Sequence, residues 1–172
     1  KFTSEPLFRR AINVALRVGD KTSLDALINY AKVNLERGSF QEAVTGLDTY
    51  LEIYPRGQYA KEAEDLLADA LINTSNYLRA IEQIERMPSK SSRINAAYQK
   101  VSFYQGIVYY RDKRNDLATA YFDKAINTPA DKDLVNQALF WKAENYAARE
   151  NLPEAIKSYE RLQAQRPRSN DP

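Results

Sequence analysis

The chain holds 172 residues, 44% of them hydrophobic and 28% charged, a balance that supports a folded core and excludes wholesale disorder. It contains neither Cys nor His, which removes disulfides, thiolate nucleophiles, zinc signatures and the commonest general base. A net charge of +2 is too small for a nucleic-acid footprint, and no apolar run reaches the length of a membrane span.

Five Gly and seven Pro against many Ala, Leu, Glu, Lys and Arg favour helices throughout. Residues 5–18 (EPLFRRAINVALRV) place Phe8, Ala11, Ile12, Ala15 and Leu16 on one stripe, and Gly19-Asp20 end the helix. It is either a capping helix or the second helix of a truncated unit. Residues 24–38 repeat the helical spacing with Leu24, Leu27, Ile28, Ala31 and Leu35. Gly38 ends that helix, and Ser39 is suited to cap the next, with Glu42 as its capping-box partner. That second helix buries Ala43, Leu47 and Tyr50 before Pro55 stops it.

The same pair recurs down the chain. Ala68 leads to Asn76-Tyr77, Ala80 and Ile84; Gly106 leads to Tyr109, Ala118, Phe122 and Ala125; Ala143 leads to Tyr146, Asn151-Leu152, Ala155, Tyr159, Leu162 and Pro167. The second-helix alanines 43, 80, 118 and 155 are spaced 37, 38 and 37, and a fixed period in this range marks a repeat array. Small residues at helix crossings let the backbones approach, so Ala31 with Ala43, Gly106 with Ala118 and Ala143 with Ala155 are the expected contacts. Pro88 ends the second pair early, leaving a polar loop over 88–93. The chain begins at Lys1 rather than Met and stops where another first helix would start, so it reads as a fragment with further repeats expected beyond Pro172.

Small residue, aromatic three later, then Ala, aromatic, Ala or Leu and Pro: over 24–168 this pattern resembles the tetratricopeptide repeat. The fourth unit matches almost completely. Asn34 replaces the first-helix aromatic in the first unit and Leu71 in the second, while Asn115 opens the second helix of the third. The joint YPRGQYAKEAEDLL (54–67) is similar to those of tetratricopeptide-repeat proteins of the bacterial cell envelope, of the TolA-binding coordinator and outer-membrane assembly lipoprotein type. The resemblance implies an all-α, right-handed superhelical array of antiparallel helix pairs, about nine helices in all. The expected divisions are 1–20 for the first helix, pairs at 24–57, 58–90, 91–130 and 131–168, and a tail at 169–172.

Resemblance also implies a concave groove lined by the first helices. Its positions here are Asp25, Ile28, Lys32, Leu35 and Glu36; Glu62, Asp65, Asp69, Ile72 and Asn73; Lys100, Phe103, Ile107, Tyr110 and Arg111; and Gln137, Phe140, Glu144, Ala147 and Ala148. The first half is acidic and the second aromatic and basic. Charge follows suit, with 11 basic and 13 acidic residues over 1–86 against 14 and 10 over 87–172. Such a groove takes a protein or peptide segment, and Asp65 with Asp69 argue against phosphate contact. The carboxylate-clamp constellation of chaperone-type relatives is missing, since Ile28 and Asp65 stand where Lys is required.

No nucleotide loop or calcium loop is present; DKRND (112–116) puts Arg114 where an acid is needed. The acids Glu62, Glu64, Asp65 and Asp69 read as a solvated helix face rather than a catalytic pair. The expectation is a non-enzymatic interaction scaffold, without cofactor or metal, set in bacterial envelope assembly. The competing reading is an accessory domain of an envelope enzyme or a glycan-binding lipoprotein, with Phe103, Tyr110, Phe140 and Trp141 against sugar.

Overall fold

A computed structural model describes residues 21–165; the helix expected at 5–18 and the tail after 165 lie outside them. Eight α-helices and no strand occur among the described residues: α1 Lys21–Glu36, α2 Phe40–Ile53, α3 Ala60–Asn73, α4 Tyr77–Arg86, α5 Ser92–Arg111, α6 Asn115–Ile126, α7 Lys132–Ala147 and α8 Leu152–Gln165. The fold is all-α, built of consecutive helix pairs. The chain divides into two compact units, Lys1–Thr74 and Ser75–Pro172. This division falls inside the second expected pair, between α3 and α4.

In the first unit α1 packs on α2, α2 on α3, and α1 touches α3. Leu27, Ile28, Ala31, Ala43, Leu47, Tyr50, Leu67 and Leu71 are buried between them. In the second unit each helix packs on the next from α4 to α8, and α5 also meets α7. Its core runs through Phe103, Tyr109, Ala118, Phe122, Ala125, Val135, Ala138 and Leu139. The small crossing residues sit where the periodicity puts them, with Ala31, Ala43, Ala118 and Ala143 fully buried. Gly106 has a more exact role than expected. A Cβ there would lie 2.7 Å from two ring carbons of Phe122, so the ring, and not Ala118, fills its place.

Three of the within-pair turns close identically. Gly38, Lys113 and Glu150 adopt left-handed φ of 72°, 58° and 58°. The N–H groups of Ser39, Arg114 and Asn151 donate to the carbonyls of Asn34, Tyr109 and Tyr146 at 2.8, 2.8 and 3.0 Å. The left-handed residues donate to Leu35, Tyr110 and Ala147 at 3.0, 3.1 and 2.9 Å. This is the Schellman arrangement, which satisfies the last carbonyls of the helix. Thr74, at the corresponding turn after α3, is extended instead (φ −66°, ψ 146°).

Two local expectations change. Ser39 precedes α2 but makes no side-chain cap bond. Its N–H already serves Asn34 and its ψ is 61°, short of the extended value that aims a capping oxygen at the helix. The 88–93 loop is also shorter than expected. Ser91 caps α5 by accepting from Ile94 N–H at 3.3 Å, and Ser92 is already helical.

Polar side chains fasten the second unit. Glu85 of α4 accepts from Tyr98 of α5 and Lys124 of α6, both at 2.6 Å. Lys124 and then Tyr98 hold its carboxyl below the ordinary value. Fully buried Gln99 of α5 donates to the Asp131 carbonyl at 2.9 Å and accepts from its N–H at 2.7 Å. Asp131 in turn caps α7, accepting from Asp133 and Leu134 N–H at 2.8 and 3.3 Å. Asn145 of α7 donates to the Asn115 carbonyl and to Thr119 Oγ1 of α6, both at 2.8 Å.

Gly106→Ala should destabilise the second unit by about 1–3 kcal/mol, because the fully buried ring cannot swing away and overpacking outweighs the helix-propensity gain. Urea unfolding followed by the fluorescence of Trp141 measures this, and in a Phe122→Leu background the cost should fall by half or more. Lys113→Gly should stabilise the same unit by about 0.5–1 kcal/mol, since Gly carries no Cβ penalty at φ 58°. Gly38→Ala should shift thermal unfolding of the first unit the opposite way.

Candidate functional site

The first helices of the second unit, α5 and α7, present one continuous aromatic row. Tyr110 of α5 meets Trp141 of α7 at 5.4 Å between centroids. Phe140 meets Trp141 at 5.6 Å and reaches Tyr159 of α8 at 6.3 Å, all edge to face. Ile107, Tyr110 and Trp141 rest on the buried core, which supports the two rings from below. Phe140 stands up from this floor, 41% exposed. The helical spacing explains why one residue surfaces and its neighbour is half-buried, since each step turns the side chain about 100°.

The same helices also carry charge. Lys100 is half-buried and Arg111 exposed, and neither has an ion-pair partner among the described residues. Glu144 accepts a hydrogen bond from Tyr159 Oη. That bond, followed by partial desolvation, pushes the Tyr159 phenol up to about 12. Lys142 and Arg149 are paired to Asp123 and Asp116 of α6 at 2.6 Å.

Phe103 is corrected. It was expected in the groove, but it is 5% exposed, with its ring against Phe122 at 6.2 Å and Tyr104 at 5.6 Å. A ligand does not reach it. Tyr104, which the groove pattern omits, is 36% exposed and pairs with Tyr77 of α4 at 5.6 Å. In the sequence the signal for Tyr104 was the doubled aromatic itself: two adjacent rings on one helix cannot both face the core.

The first unit presents a different face. Lys32 of α1 is paired with Glu62 of α3 at 2.6 Å, and Tyr59 donates to Asp25 across the same two helices. Glu36 and Asp69 are exposed and Asp65 half-buried, whereas Ile28 is buried in the core. Ile28 therefore leaves the expected groove list.

A recess of about 620 Å³ opens at the start of α5, lined by Ser92, Asn95, Ala96 and the 127–130 turn. Its lining carries no titratable side chain. No described helix is long and apolar enough to cross a membrane.

One likeness to a known family lies in the last pair. Residues 137–169 match the family model of the tetratricopeptide repeat. This span runs from within α7 through α8, and so includes Phe140, Trp141, Glu144 and Tyr159. No curated protein sequence matches the chain. Among solved structures it is similar to a crystal structure of MamA, with a TM-score of 0.46 and 17% identity over 92% of this chain and 85% of that one. It is also similar to MamA from residue 41 onward from Desulfovibrio magneticus RS-1, with a TM-score of 0.43 and 17% identity over 97% of each chain.

The Tyr159–Glu144 bond gives a pH signature. Because folding raises the phenol from 10.0 to about 12, the bond contributes fully below pH 10 and is lost as pH climbs toward about 12. Wild type should therefore hold a constant stability advantage over Tyr159→Phe up to pH 10 and lose it above. Phenolate absorbance should show one fewer late-titrating tyrosine in the variant.

Proposed function

We propose that the chain is a non-enzymatic protein-interaction scaffold whose second unit binds a peptide or protein segment across α5 and α7. One observation carries this reading: Phe140 stands exposed on an aromatic floor whose rings are fixed from beneath. Rigid aromatic anchors next to an unpaired Arg have the composition of interface hot spots. Lys100 and Arg111 select a segment that alternates apolar and acidic residues. The tetratricopeptide-repeat match over 137–169 supports a protein ligand. The joint at 54–67 makes bacterial envelope assembly the setting we favour.

Edge-to-face packing of Trp141 between Tyr110 and Phe140 favours insertion of an apolar side chain over the sugar stacking of the competing reading. A sugar needs an open ring face, and Trp141 is half-buried between its neighbours.

Peptides of matched length carrying Leu and Phe with either Asp/Glu or Lys/Arg distinguish these readings, with Trp141 fluorescence as the signal. Acidic–apolar peptides should bind, and Phe140→Ala should weaken them about tenfold, equivalent to about 1.4 kcal/mol. Arg111→Glu should weaken them further at low salt. Equal binding by wild type and Phe140→Ala, or a response to chitooligosaccharide but not to peptide, would overturn the proposal.

A further inference from the structure

α5 is the longest helix among the described residues, 20 residues from Ser92 to Arg111, and it contains no Asp or Glu. Tyr104, Ile107 and Arg111 stand four, seven and eleven residues after Lys100 on it. At about 100° per residue these four side chains fall within about 60° of one another, on one stripe. Tyr104 is 36% exposed and Arg111 is exposed, with Lys100 and Ile107 half-buried. Neither cation has an ion-pair partner among the described residues. The apolar pair between them is braced. Tyr104 meets Tyr77 of α4 and Phe103, each at 5.6 Å, and Ile107 rests on the buried core. At a rise of about 1.5 Å per residue, Tyr104, Ile107 and Arg111 lie about 6, 10 and 16 Å along the axis from Lys100.

We propose that this stripe receives one acidic, amphipathic α-helix of a partner protein, laid along α5. That helix carries acids eleven residues apart, with large apolar residues four and seven after the first. The inference rests on the reading of α5 and α7 as a peptide-binding face, and it gives the ligand a conformation and a spacing. A helix crossing α5 at a shallow angle repeats its own stripe at the same rise, so all four positions meet a counterpart. An extended chain turns every other residue to one face, about 6.6 Å apart, and is about 3 Å out of step by Ile107 and Arg111. The ends must be acidic, because no acid of α5 competes for either cation. The chain's own 23 acids do not supply the pattern. Those eleven apart are Asp25 with Glu36, Asp112 with Asp123, Asp133 with Glu144 and Glu160 with Asp171, and none has large apolar residues at both places between. Within the 172 residues no helix fits, so a second copy of this sequence does not supply the occupant.

Three fluorescein-labelled peptides, titrated against the full chain by anisotropy, test this. The first carries Glu, Leu, Leu and Glu at the four places and is stapled on its far face, because a free helix this short is marginal in water. In the second, one Glu is moved to the opposite face of the same stapled helix. The third is the matched sequence, unstapled, with a central Pro that forbids the helix. The first should bind about tenfold more tightly than the other two. Lys100→Glu and Arg111→Glu should each weaken it several-fold at low salt and little at high salt. Arg37→Glu, which changes an exposed charge of the first unit, should leave it unmoved. A stapled peptide with Lys in place of one terminal Glu should bind Arg111→Glu better than wild type, which a misfolded variant cannot do. Equal binding of all three peptides overturns the inference and leaves the peptide-binding face standing, whereas binding of none overturns both. A wild-type dimer that Arg111→Glu dissolves also overturns it, by seating a second copy on the stripe.

Discussion

Among the described residues, α2 and α6 each have two apolar faces to remove from water: one packs on the helix before, α1 or α5, and the other on the helix that follows, α3 or α7, as α4 also packs on α5. Val44 and Ile81 are buried on this account, and Asn145 reaches back to Asn115 and Thr119 for the same reason. The close approach this requires sets the small residues. Ala31, Ala43, Ala118 and Ala143 have no exposed surface, and Gly106 leaves room for a whole ring.

The sequence carried the fold because this constraint is periodic. Alanines at 37- and 38-residue spacing located the described helices, and the stripes of Leu, Ile and Tyr assigned their buried faces. What was not legible came from single contacts that no period encodes. Gln99 reads as an ordinary polar residue in a helix, yet its amide is buried against the Asp131 backbone. Ser39 with Glu42 reads as a capping box, yet the turn at Gly38 has already taken the Ser39 N–H. Phe103 followed the family's groove spacing into the list of contact residues. The ring of Phe122, lodged over Gly106, draws it inward instead.

The candidate site was legible in part, for the same reason. Tyr110 and Phe140, which the resemblance singles out, lie in the aromatic row, while Trp141 and Tyr159 complete it through contacts between helices. Charge shows the limit of counting residues. Lys32 contributes to any tally, but it is paired with Glu62, whereas Lys100 and Arg111 have no ion-pair partner among the described residues.

The amide of Gln99 has a wider meaning. It grips the backbone just ahead of α7 from a position on α5, and these are the two helices that carry the exposed rings. A connecting segment held at its far end by a rigid bracket becomes a gauge: it sets how far along α5 the neighbouring rod begins. Ring spacing is thus metered by one uncharged side chain that never meets a ligand, and retuning what the surface admits would start beneath it.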